Sequence, residues 1–280
     1  MPSNPPSHVL QGISHACFGL SYVIALVCEV IRIWRPISLL RPISLVAGSA
    51  GLLAHTLYLA YHHPSPAEPY AAVLLLAWVI AVFSLYGTLH HTRQAWAVFV
   101  WPIVVGLVGL SLALLRGATQ TSVPAWILGD RPWGVIHGVL LLLAAVGMTV
   151  SFLAGIMYLV QSRRVRNKLN PLGTFRLLNL ERLEVMNRRA VNLTFPFLSA
   201  GLILGGVLLR HNHSLTETWF SVKVLGTAGL WLVCLMLLYL RYSRSVSARQ
   251  LAWLSVLAFA LTVIVLAATH PFVAPMGVEL

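Results

Sequence analysis

Histidine carries the chemistry that this chain has to offer. His15, His55, His137 and His270 sit in or against long apolar runs. An ionisable side chain at membrane depth is costly and marks a functional site by default. Neutral imidazole is also a common ligand for haem iron and for many other metals. The plainer reading of each such histidine is a hydrogen bond to a neighbouring helix, worth about 0.6 kcal/mol on average. Paired carboxylates and Ser–His–acid arrangements are absent from these runs, so reaction through a side-chain nucleophile or general acid–base pair is not expected. His62 and His63, and the HxH of His211 and His213, read as solvated loop residues, with an accessory metal or haem contact as the alternative. His90 and His91 fall on the opposite side of the bilayer from the four.

The elements that must position these rings are transmembrane. Of the 280 residues 58% are hydrophobic and 9% charged, and the mean hydropathy is +0.83; soluble domains are about 25% charged. Eight apolar runs are long enough to cross a ~30 Å hydrocarbon core, near residues 9–31, 43–61, 70–89, 96–115, 134–160, 191–210, 219–240 and 250–269. They are rich in Leu, Val, Ala and Gly without strict alternation, which favours helices over barrel strands. The expected fold is all-α, one polytopic transmembrane domain over 1–280. MPSNPPSH lacks a basic start, so the first run reads as a span rather than a cleaved signal. Cys17, Cys28 and Cys234 are isolated within spans and read as buried, inert thiols.

The charge of +12 raises the possibility of a nucleic-acid partner, but its distribution argues for orientation instead. Alternate connections hold 15 of the 19 basic residues, eight of them between spans 5 and 6; Arg116, Arg131, Arg210 and Lys223 make up the other side. By the positive-inside rule both termini lie on the outer side. Span 1 then runs inward and span 2 outward, which sets His15 and His55 each about 9 Å below the outer boundary at 1.5 Å per residue. His137 opens span 5 and His270 closes span 8, both at that boundary. The four histidines share a side and divide into a deep pair and a boundary pair, either of which supplies one imidazole from each of two helices.

Two connections are long. Residues 116–133 carry Trp126, Asp130 and Trp133, which suits an interfacial aromatic belt. Residues 161–190 form a cytoplasmic loop in which Leu177, Leu180, Leu183 and Glu184 follow helical spacing, so 174–189 is expected to lie on the surface as an amphipathic helix. Its usual role is lipid anchoring; docking of a soluble partner is the alternative. Gly201, Gly205 and Gly206 form a face that lets span 6 approach another helix closely. Pro196 fits a first turn, and Glu29 and Arg32 suit a local ion pair. No internal repeat supports an inverted-repeat transporter.

The order of several segments carries a resemblance. LLAHTLYLAY around His55 is followed by LLLAWVIAVFSLYG, WGVIHGVLLLLAAVGMTVSFLAGIMYLVQSRRVR around His137, LNPLGTFRLLNLERLEVMNRRAVNLTFPFLSAGLILGGVLL, WFSVKVLGTAGLWLVCLMLLYLRYSR, and a last span ending at His270. Over nearly its whole length the chain resembles the cytochrome c assembly membrane family, in particular its HemX-like and CcsA-like branch. The resemblance implies haem, of b-type, held on the outer side beneath a tryptophan-rich segment and delivered to apocytochrome c with other assembly proteins. It implies that His137 and His270 flank that segment as ligands. The family's Trp-Asp-Pro-Lys type sequence is replaced here by TWFSVK, where Trp219, Phe220 and Lys223 remain. The histidine that haem-exporting members carry near the end of the following span has no counterpart in LLYLRYSR. Those departures imply a reduced, HemX-like member.

The sequence therefore points to a haem-handling factor of cytochrome c biogenesis in the cell (inner) membrane. It would not itself be an enzyme, although it could form part of a cytochrome c synthetase complex. The expected site residues are His137 and His270 at the haem iron, Trp219 beside them, and His15 and His55 as a second site or way station. Haem, the lipid bilayer, assembly proteins and apocytochrome c are the expected partners, and nucleic acid is not. The alternatives are a HemX-like regulator of haem synthesis acting through glutamyl-tRNA reductase abundance, a small-molecule transporter, and a cofactor-free membrane subunit.

Overall fold

A computed structural model describes residues 14–35, 37–64, 68–90, 96–117, 121–122, 132–167, 178–211, 221–242, 246–268 and 274–275. Eight helices follow in order: α1 His15–Trp34, α2 Leu40–His62, α3 Pro69–His90, α4 Ala97–Gly117, α5 Pro132–Arg166, α6 Leu180–His211, α7 Val222–Tyr242 and α8 Ala248–Ala267. All eight contain stretches long and apolar enough to cross a membrane. Among the described residues the remaining regular structure is one short antiparallel pairing of β1 (Thr121–Ser122) with β2 (Ala274–Pro275), with Thr121 opposite Pro275. That pairing joins the α4–α5 connection to the segment after α8.

Helix ends follow local chemistry. Ser247 and Gln250 form a reciprocal capping box at the start of α8, which satisfies two of the N–H groups that a helix start leaves unpaired. At the ends of α2 and α3, His62 and His90 turn back onto the carbonyls of Tyr58 and Tyr86, four residues earlier, at 3.3 and 3.0 Å. Both rings stack on those tyrosines. His63 then takes a left-handed conformation with φ 42° and closes α2, a common device for ending a helix.

The helices group into two compact units. The first contains α1, α2, α4 and most of α3. Its core is aromatic: Phe18, Tyr22 and Trp101 are fully buried. Two glycines of α2 make room for these rings. A Cβ at Gly48 would stand 2.7 Å from Trp101, and one at Gly51 would stand 2.8 Å from Tyr22. Glu29 and Arg32 form the expected ion pair at 3.1 Å. Cys28 is buried, but Cys17 is exposed, because its position on α1 falls about 100° away from the Phe18–Tyr22–Ala25 stripe.

The second unit contains α5 to α8, around a core of Met148, Val191, Leu198, Cys234, Leu237 and Ala258. Here the expected boundaries need correction. Residues 180–189 do not form a separate surface helix; they are the first turns of the 32-residue α6. Leu183 and Asn187 of that stretch are buried, which holds it in the bundle. At 1.5 Å per residue α5 and α6 are about 52 and 48 Å long, well beyond a ~30 Å core. Pro196 therefore lies in the interior of α6 rather than in a first turn. Of the gly-rich face, Gly201 packs on Leu141 and Gly205 on His137, while Gly206 faces open space. The helix that this face admits is α5.

Candidate functional site

In the first unit the structure brings His15 and His55 together through shared aromatic neighbours. His55, fully buried, stacks on Phe18 with centroids 4.4 Å apart and planes 4° apart. His15 lies 5.5 Å from Phe18 and 4.6 Å from Tyr58, ring centre to ring centre. Tyr22 Oη and His55 Nδ1 are hydrogen-bonded at 3.3 Å. The Nε2 atoms of both histidines are buried and have no hydrogen-bond partner among the described residues. An unmade hydrogen bond on a buried polar atom costs about 1–3 kcal/mol, so two such atoms in one aromatic cluster are unusual. His62, set aside as a loop residue by the sequence reading, joins this cluster through its stack on Tyr58. The Tyr–x–x–x–His spacing of 58 and 62 was the available signal, since residues four apart share a helix face.

His137 lies in the second unit, in the second turn of α5. Its Nδ1 is 2.9 Å from the carbonyl oxygen of Gly201 on α6. A carbonyl only accepts, so Nδ1 must carry the proton, and in the neutral ring Nε2 holds the free lone pair. Fixing one ring nitrogen on a backbone carbonyl is how proteins orient a metal-binding imidazole. Gly205, one turn further along α6, lets the ring sit against the helix backbone: a Cβ there would stand 2.7 Å from His137 Cε1. Gly205→Ala is therefore expected to displace the ring. A loss of ligand affinity of about 10–100-fold would follow if the ring binds a metal, measured by titration against wild type.

The His137 ring lines a cavity of about 360 Å³, within the usual range for small-molecule pockets. Its walls are mostly apolar and come from α5, α6, α7 and α8, among them Leu141, Leu202, Leu209 and Val265. Lys223, in the first turn of α7, lines the same cavity, and its Nζ donates to the carbonyl of Ala268 at 3.3 Å. An imidazole whose Nε2 carries a lone pair and an ammonium thus share one apolar chamber. Among the described residues no three His, Cys, Asp or Glu side chains converge, so a metal bound by these would have at most two protein ligands. His270 and Trp219 lie outside the described residues.

Residues 67–269 match the model of the cytochrome c assembly protein family. The chain belongs to that family. Its role therefore lies in cytochrome c biogenesis. Two similar proteins are the cytochrome c biogenesis protein CcsA of Microcystis aeruginosa and that of Guillardia theta. The first is 23% identical over 68% of this chain and 71% of its own length. The second is 23% identical over 68% of each chain. No solved structure matches. The matched range takes in α3 to α8, and with them His137, Lys223 and the cavity. It begins after α2, so His15 and His55 fall outside it, and it stops one residue before His270.

Proposed function

We propose that this protein is a haem-handling membrane factor of cytochrome c biogenesis, with the cavity of the second unit as its haem site. One observation carries the reading: His137, locked by Gly201 with its Nε2 lone pair free, shares an apolar chamber with Lys223. His137 and His270 would hold the iron, with Trp219 as a further contact to the haem. Lys223 would pair with a carboxylate of the porphyrin. Bound haem supplies an iron centre for redox chemistry and vinyl groups for thioether formation. This chain's residues bind it, orient it and keep water from it; any covalent step would use the thiols of apocytochrome c and assembly partners. The distribution of basic residues supports placing this site on the outer side of the cell (inner) membrane. His15 and His55 are proposed as a second station, supported by their two buried, unpartnered Nε2 atoms.

The test is direct. Protein purified from haem-replete membranes should show a Soret band, and haem-free protein should take haem up in a titration. Wild-type protein that neither retains nor binds haem would sink the proposal.

A further inference from the structure

A second cavity, of about 760 Å³, runs along the seam between α5 and α6. Its position follows from the antiparallel register of these helices. Gly147 lies against Thr194 and Ala190, and Ser151 takes a hydrogen bond from Asn187. The groove is graded along its length. At one end Arg182 and Arg189, both exposed, line it from α6 together with Asn179 and Glu181. Val150 of α5 lies near the level of Arg189, and further along Leu143 and Val146 of α5 line the groove with Leu193 and Phe197 of α6. Arg182, Arg189, Leu193 and Phe197 keep to one face of α6 because their spacings of seven, four and four residues follow the helical repeat. From Arg189 to Phe197 is about 12 Å along the axis, close to the depth of one hydrocarbon leaflet, roughly 15 Å.

We infer that this groove is a binding site for an anionic phospholipid, with the phosphate at Arg182 and Arg189 and one acyl chain along Leu193 and Phe197. The occupant is argued from charge complementarity and from the match of charged and apolar ends to the length of a lipid. Arginine favours phosphate through paired N–H donors, and basic pockets between helices on the cytoplasmic side are suited to anionic head groups. A soluble anion would use the arginines but leave the apolar half exposed. The site is separate from the His137 cavity and does not rest on haem binding.

The test uses the full chain in neutral detergent, with dioleoylphosphatidylglycerol or dioleoylphosphatidylcholine added and retained lipid counted by native mass spectrometry. Wild type should prefer the anionic lipid by roughly 30-fold, the product of two arginine contacts near a charged surface. Arg182→Gln with Arg189→Gln should abolish the preference. Leu193→Trp, at a position already exposed, should weaken retention of the anionic lipid while leaving both charges. Equal retention of the two lipids by wild type would overturn the inference, and so would full preference in the double variant. Glycerol phosphate competing as strongly as the lipid would overturn it too, since the ligand would then be a free anion.

Discussion

His137→Ala, purified from haem-replete membranes, is expected to lose its haem, with affinity falling by more than about 100-fold. The estimate starts from the 10–100-fold loss seen when a partner that merely orients a metal ligand is removed; deleting the ligand itself should cost more. His137 also has a structural contact, so alanine alone would not separate coordination from packing. His137→Gln does. Its side-chain amide can still donate to the Gly201 carbonyl that now accepts from Nδ1 at 2.9 Å, yet it offers iron no imidazole nitrogen. The expected result is a folded protein without the wild-type Soret spectrum. His137→Gly should lose haem and regain part of it when imidazole is added. A wild-type spectrum in His137→Gln would remove this ring from the iron and move the site to His15 and His55. His15→Ala and His55→Ala would then become the decisive variants.

The sequence makes the spans plain because crossing a bilayer is demanding: some twenty apolar residues are needed, and few other structures use them. It misplaces the ends of α5 and α6 for a related reason. Arg163 to Arg166 and the charged stretch before Val191 end the hydrophobic signal, but charge does not end a helix. These residues are good helix formers, and the charged start of α6 runs on along the middle of α5, where Asn187 meets Ser151. The glycines of α6 announced a close approach without naming what approached, since a missing Cβ records space and not its occupant. Only the structure shows the His137 ring in that space. The orphan Nε2 atoms of His15 and His55 were equally invisible, because they depend on how Phe18, Tyr22 and Tyr58 fill the surroundings. Asn187 was missed although it left a trace. Leu183, Asn187, Val191, Thr194 and Leu198 form one buried stripe at helical spacing, and a carboxamide in such a stripe requires partners.

Asn187→Ala is expected to destabilise the second unit by about 2–4 kcal/mol. The side chain joins four helices. Its two Nδ2–H groups are shared among three acceptors: the carbonyl and hydroxyl of Ser151 on α5, at 2.8 and 3.0 Å, and the hydroxyl of Ser255 on α8 at 2.9 Å. Its Oδ1 accepts from Arg241 Nη2 on α7 at 2.6 Å. Guanidinium only donates, which fixes the amide with oxygen toward Arg241 and nitrogen toward the serines. Interhelical hydrogen bonds in membranes average about 0.6 kcal/mol, but a bond to a charged group contributes about 1.5–3 kcal/mol, and this site combines both kinds. Arg241 Nη1 is already buried with no partner among the described residues, so removing Asn187 takes the acceptor from the other arm as well. Asn187→Asp isolates the two halves: it keeps an acceptor for Arg241 and loses the donors to Ser151 and Ser255, so its stability should fall between wild type and alanine. The measurement is reversible unfolding in mixed micelles, with a double-mutant cycle against Arg241→Ala expected to give a coupling of at least about 1 kcal/mol. Additive effects in that cycle would mean that Asn187 packs against α7 without holding it, and that the four helices are tied together by their apolar core alone.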